Sequence, residues 1–296
     1  MDRVGAGPVE LCREVLGPDD GALMVLVAGL GRPLTAWDDG LCDLLVAAGL
    51  RVMRFDNRDA GWSRWRAEPG PYSLDDMADD TVALLDDLGV ASAHVVGTSM
   101  GGMIAQVLAY RHPGRVRSMA SIMATTGAPG VGAPTEAALS AMMTRMAGEP
   151  SASRDAFVAA ELAVYGVIGS RRSLEDQAWR RRRFAGLFER TAAPEATRRQ
   201  IAAVVASGDR TAALGAVRAP TLVVHGEVDT LVTPGGGEAT ARAVPGAELL
   251  MVPDLGHEIP PGVWPELVAA LVANAGRGEE RAGSGRAGNG AWEGVS

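Results

Sequence analysis

Two kinds of segment alternate along the chain. Continuous apolar runs bounded by glycine, of which residues 22–28 (ALMVLVA) are the plainest, predict strands covered on both faces. Residues 9–16, 51–55, 93–96, 116–125, 221–225 and 247–252 read as further strands. Between them lie helical patterns. Residues 37–50 place Leu41, Leu44, Leu45 and Ala48 on one face and Gly49 near the end. Ser73 caps a helix over 73–88 that carries Asp75 and Asp76 in its first turn. Other helices are predicted over 99–110, stopping before Pro113, and over 238–243 and 263–273. Strands alternating with helices specify right-handed crossovers and an α/β fold with a doubly wound, mainly parallel sheet.

One stretch breaks the alternation. Residues 129–217 hold no convincing strand but four amphipathic helical segments, 135–146, 154–165, 174–188 and 196–206. The predicted organisation is a core of residues 1–128 and 218–275, a helical cap over 129–217, and a glycine-rich tail over 276–296. That tail is too poor in apolar residues to bury anything and is expected to be disordered. No internal repeat is visible.

Composition narrows the chemistry. The chain has 296 residues, 47% of them hydrophobic, and a net charge of -8, which disfavours nucleic acid as a partner. All 28 basic residues are arginine, which excludes Schiff-base and Walker lysines. Cys12 and Cys42 are the two cysteines, expected as buried free thiols in a reducing cytoplasm. The four histidines are not at zinc-ligand spacing, so neither metal nor cofactor is expected. The apolar run 22–30 is far too short to span a bilayer, and the acidic residues of the first twenty positions do not suit a leader, so no membrane partner is expected.

The informative motif is Gly97-Thr-Ser99-Met-Gly101-Gly102, a G-x-S-x-G element directly after a strand and opening a helix. So sharp a turn strains the residue at its apex and needs small neighbours at 97 and 101, presenting Ser99 above the sheet edge at a helix N-terminus. A serine nucleophile needs a base, itself held by an acid. His94 and His225 lie inside strands and His112 at the far end of the helix, so these three read as structural. His257, in a loop after the last strand, lies where a doubly wound sheet places its site. Asp229, just after the fifth of the parallel strands, supplies the acid, with Asp254 and Glu227 as rivals.

The chain order Ser99, Asp229, His257 resembles that of the α/β-hydrolase superfamily over most of the sequence, about residues 9–275. The resemblance implies an oxyanion hole made by the amide of Met100 and one from Ala28-Gly-Leu-Gly31, that of Leu30; the common pattern there has His-Gly where Ala28-Gly29 stands. It also implies that Asp56, Arg58 and Gly61 hold a turn together. The stretches Phe55-Asp-Asn-Arg-Asp-Ala-Gly61, Ala93-His-Val-Val-Gly-Thr-Ser-Met-Gly101 and Leu255-Gly-His257 are similar to the aclacinomycin methylesterase group, which hydrolyses the carboxymethyl ester of anthracycline polyketides; general carboxylesterases carry related stretches.

The expected activity is therefore a metal-independent serine esterase acting on a small-molecule, bulky and apolar ester. A lactonase, thioesterase, cofactor-free perhydrolase, acyltransferase or tailoring cyclase could use the same triad, and a ligand-binding protein that has lost turnover is the alternative outside enzymes. The cap holds Phe157, Tyr165, Trp179, Phe184 and Phe188. Met142, Met146, Trp179 and Phe184 are the candidate pocket residues. The run Arg180 to Arg183 reads as a solvated face.

Overall fold

The computed structural model describes residues 1–147, 153–171, 174–190 and 193–288. A hairpin opens the chain, with β1 (Asp2–Ala6) antiparallel to β2 (Val9–Leu16) and Val4 opposite Leu11. The sequence pattern did not predict β1, whose only inward side chains are Val4 and Ala6. The apolar run forms β3 (Leu23–Val27), buried at all five positions. Then come α1 (Asp39–Ala47), β4 (Arg51–Phe55), the two-residue β5 (Arg64–Trp65) and α2 (Leu74–Asp87), where Ser73 and Asp76 form a reciprocal capping box. β6 (Ala93–Thr98) leads straight into α3 (Met100–Arg111). β7 (Val116–Ile122) ends three residues short of its predicted end because Met123 turns the backbone to φ +50°.

Four helices follow, α4 (Glu136–Ala147), α5 (Arg154–Ile168), α6 (Leu174–Leu187) and α7 (Pro194–Ser207). A one-turn α8 (Thr211–Leu214) returns the chain to β8 (Thr221–Gly226), α9 (Gly235–Ala243), β9 (Glu248–Val252) and α10 (Trp264–Gly288).

The strand order is β1-β2-β4-β3-β6-β7-β8-β9, with β5 on β2, and every pairing from β4 through β9 is parallel. Alternate residues of β3 feed opposite faces: Val25 and Val27 pack with α2 and α3, Met24 and Leu26 with α1 and α10. The order reverses between β3 and β6. Their carboxyl ends therefore flank the switch point, where a crevice opens in sheets of this kind.

Residues 276–288, the described part of the tail expected to be disordered over 276–296, are helical. Helix α10 continues to Gly288, and polar contacts hold its described part where apolar burial would not. Glu279 accepts from Arg117 at 2.6 Å and pairs with His94 Nε2 at 3.0 Å, while Arg277 pairs with Glu248 at 2.5 Å. Glycine at 278 permits the approach, since a Cβ there would lie 2.7 Å from the Arg117 carbonyl oxygen. The last eight positions, 289–296, lie outside the described residues. No helix among the described residues is long and apolar enough to cross a membrane.

Candidate active site

Ser99 sits at the apex of the turn from β6 to α3 with φ +55° and ψ -121°, a conformation that L-residues rarely adopt. The flanking glycines explain how the chain tolerates it. A Cβ on Gly97 would lie 2.0 Å from the Gly101 carbonyl oxygen, and one on Gly101 only 2.1 Å from that of Val27. Both obstacles are backbone. Gly101→Ala is thus expected to cost about 1–3 kcal/mol in urea unfolding, the usual range for overpacking, and an unchanged midpoint would refute this account of the turn.

Asp229 and His257 come together from loops after β8 and β9. Asp229 is 2% exposed. Its Oδ1 accepts from the amides of Leu231 at 2.9 Å and Val232 at 3.0 Å, which leaves Oδ2 to accept from His257 Nδ1 at 2.7 Å. With Nδ1 donating, His257 keeps Nε2 for a proton from a nucleophile. Asp254 stands apart from this pair: it is exposed, has φ +56°, and its carbonyl accepts from the Arg171 amide at 3.1 Å. Glu227 is exposed as well.

The other histidines have local duties. His94 bonds Ser118 and Glu279, and His112 bonds Asp79 at the surface. His225 lies behind the acid, its Nε2 donating to the Val232 carbonyl at 2.8 Å and standing 3.7 Å from Asp229 Oδ2. Burial pushes its imidazole below the usual range, so it stays neutral beside Asp229.

Ser99, Met100, His257 and Leu30 share the wall of a cavity of about 320 Å³. Gly29 brings the loop after β3 so close to the nucleophile that a Cβ there would lie 3.3 Å from Ser99 Cβ. Among the described residues, the amides of Leu30 and Met100 have no hydrogen-bond partner, so both are available to a developing oxyanion. The next amide, Gly31, is taken up by Gln200 Oε1 at 2.7 Å. Asp56 accepts from the amides of Leu34 and Trp62 and from Arg190, and Arg58 pairs with Asp80, so this turn is held by Trp62 from within and by the loop after β3, the insertion and α2 from outside.

The inserted helices close the cavity from the other side with Met142, Met146 and Tyr165. Two of the expected pocket residues are elsewhere. Trp179 is buried and donates to Asp38 at 3.0 Å, and Phe184, fully buried, packs behind Tyr165 with ring centroids 4.9 Å apart. Phe184 belongs to the packing between the inserted helices α5 and α6, whereas Trp179 ties α6 to the N-cap of α1, and neither lines the cavity. The arginine run also departs from expectation. Arg181 and Arg182 are exposed, but Arg180 is buried against Glu258, and Arg183 lines the cavity and donates to the Ala36 carbonyl at 3.2 Å.

Sequence reasoning missed a polar group here, the buried Glu161 and Gln200 with the half-buried Arg32 and Arg145. Arg32 lines the cavity and donates to Glu161 at 2.7 Å, and Arg145 donates to the other oxygen at 2.9 Å. Burial alone would raise the Glu161 carboxyl, but the two arginines hold it below its ordinary range. The signal was present: Glu161 interrupts an inward stripe of Phe157, Val158, Val164 and Tyr165, and Gln200 one of Ala196 and Ala203. Among the described residues, no group of three His, Cys, Asp or Glu side chains is placed to hold a metal ion.

A strained serine after a parallel strand, a buried Asp–His pair and two unoccupied amides around one cavity define the class of α/β hydrolases. The family model described as the alpha/beta hydrolase fold matches residues 22–261. The chain belongs to the α/β-hydrolase family and is an enzyme of the hydrolase class. Rhodomycin D methylesterase of Streptomyces peucetius is 30% identical over 283 residues, covering 90% of this chain and 95% of its own. Among solved structures, an N-acyl homoserine lactone degrading enzyme aligns with TM-score 0.68 at 28% identity, over 92% of this chain and 97% of its own. An esterase from Rhodococcus sp. aligns with TM-score 0.77 over 93% and 97%; at 22% identity it speaks for the fold alone.

Proposed function

We propose that this hydrolase cleaves a carboxylic ester through an acyl-enzyme on Ser99. The observation that carries the proposal is the 2.7 Å contact of His257 Nδ1 with a doubly anchored Asp229, on a cavity that the strained Ser99 shares. Ser99 Oγ attacks the ester carbonyl and its proton passes to His257 Nε2, while Asp229 holds the ring in the competent tautomer and stabilises the imidazolium. The carbonyl oxygen, now negative, is met by the amides of Leu30 and Met100. His257 then protonates the departing alkoxide, and water, activated by the same histidine, releases the acid. The likeness to a methylesterase over nearly the whole chain favours an ester; the likeness to a lactone-degrading enzyme favours a cyclic ester as the second reading, opened by the same steps.

The helical insertion acts as a cap that selects the substrate. Met142, Met146, Ile168 and Tyr165 give one side of the cavity an apolar, adaptable wall. Of the charged groups that also line it, Arg32 and Glu258 are ion-paired, Asp38 accepts from the Trp179 indole and the Gly40 amide, and Arg183 donates to the Ala36 carbonyl. A bulky apolar methyl or aryl ester is therefore expected to give a higher kcat/KM than a small anionic one. Met142→Ala should reorder the ranking among bulky esters while changing the rate on p-nitrophenyl acetate by less than about twofold. A preference for small charged esters, or a ranking indifferent to Met142, would sink this reading.

A further inference from the structure

Two buried side chains of the inserted helices grip the two loops that carry the reacting groups. Gln200, on α7, is 0% exposed. Its Oε1 accepts from the Gly31 amide at 2.7 Å and its Nε2 donates to the Arg58 carbonyl at 2.7 Å. Gly31 is adjacent to Leu30 and has φ +65°, so the bond fixes the turn whose previous amide faces the oxyanion position. Arg180, on α6, does the same for the histidine loop. Its guanidinium spans both oxygens of Glu258, the residue after His257, and also donates to the Ser170 carbonyl at 2.9 Å. The Ser170 amide donates to Glu258 at 2.7 Å, and the His257 amide donates to the Ile168 carbonyl at 2.7 Å. The loops are in direct contact, since a Cβ on Gly256 would lie 2.3 Å from the Gly169 carbonyl carbon.

We infer that Gln200 and Arg180 are positioning residues for catalysis. The seated insertion sets the oxyanion loop through Gln200 and the histidine loop through Arg180 and Glu258, so its contribution is to turnover as well as to substrate choice. The inference rests on the triad reading above. Its physical basis is burial: removing either partner leaves a buried amide or carboxylate unpaired, and the loop relaxes to resolve it. Displacement of a reacting group by about 1 Å costs on the order of a hundredfold in rate. A purely structural role would instead lower the amount of folded enzyme and leave each folded molecule unchanged.

The test uses p-nitrophenyl acetate, too small to depend on the cap for binding, with active sites counted by exhaustive labelling with a fluorophosphonate. Gln200→Leu and Arg180→Met should each lower kcat per labelled site by about ten- to a hundredfold with KM within about twofold. The rate of labelling should fall in parallel, and Arg180→Lys should recover part of the loss. Turnover per site equal to that of the unsubstituted enzyme, with only the number of sites or the melting temperature reduced, overturns the inference alone. Turnover by the unsubstituted enzyme that does not depend on Ser99 overturns the triad reading and this inference with it.

Discussion

Ser99→Ala is expected to lower kcat for a short p-nitrophenyl ester by about a million-fold, the loss typical when the nucleophile of a cooperating triad is removed. The covalent route disappears with the hydroxyl, and only the oxyanion amides and substrate binding remain to accelerate attack by water. The fold should be untouched. Alanine at position 99 inherits the same φ of +55° and a smaller side chain, and the obstacles around the turn surround Gly97 and Gly101, not the serine. Circular dichroism and the urea midpoint should match those of the unsubstituted chain. A few per cent of residual activity, after contamination has been excluded by the absence of fluorophosphonate labelling, would remove Ser99 from the mechanism.

His257→Ala should be nearly as damaging, because serine and histidine fail together when either is lost. Its companion substitution discriminates between the acids. Asp229→Asn is expected to cost about 10⁴ in kcat, since an amide facing Nδ1 no longer selects the tautomer that leaves Nε2 to accept the proton. The two amides anchored on Oδ1 should keep the loop in place, so the loss is electrostatic and not a matter of unfolding. Asp254→Asn, on an exposed turn with no contact to His257, should stay within a few-fold of the unsubstituted rate. The reverse order of the two asparagine variants would assign the acid to Asp254.

The sequence held most of what the sheet and the triad require, for a common reason. Each lies in a contiguous segment whose local demands are severe: β3 reads as a strand because it is covered on both faces, and the turn at Ser99 is visible because backbone passes within a Cβ's reach of Gly97 and Gly101. What escaped depends on which face of a helix meets a neighbour distant in sequence. Arg180 and Arg183 turn inward while Arg181 and Arg182 do not, and nothing in the run itself distinguishes them before the helix is docked. Of the four expected pocket residues Met142 and Met146 do line the cavity, joined by Tyr165, while Trp179 and Phe184, equally apolar and larger, do not. The extension of α10 escaped because ion pairs to β7 and β9 hold it, and these leave no apolar period.

The two thiols have a practical consequence. Cys12 and Cys42 are both buried, and burial pushes the first above its ordinary pKa and the second up to about 11. Since the thiolate is the reactive form, the native chain is silent toward maleimides near neutrality. A single cysteine introduced at the surface of α7, where Val205 is 74% exposed and five positions from Gln200, therefore has no competitor for a fluorescent label. Such a dye would report the seating of the insertion in real time during turnover, in an enzyme that keeps every native residue except one.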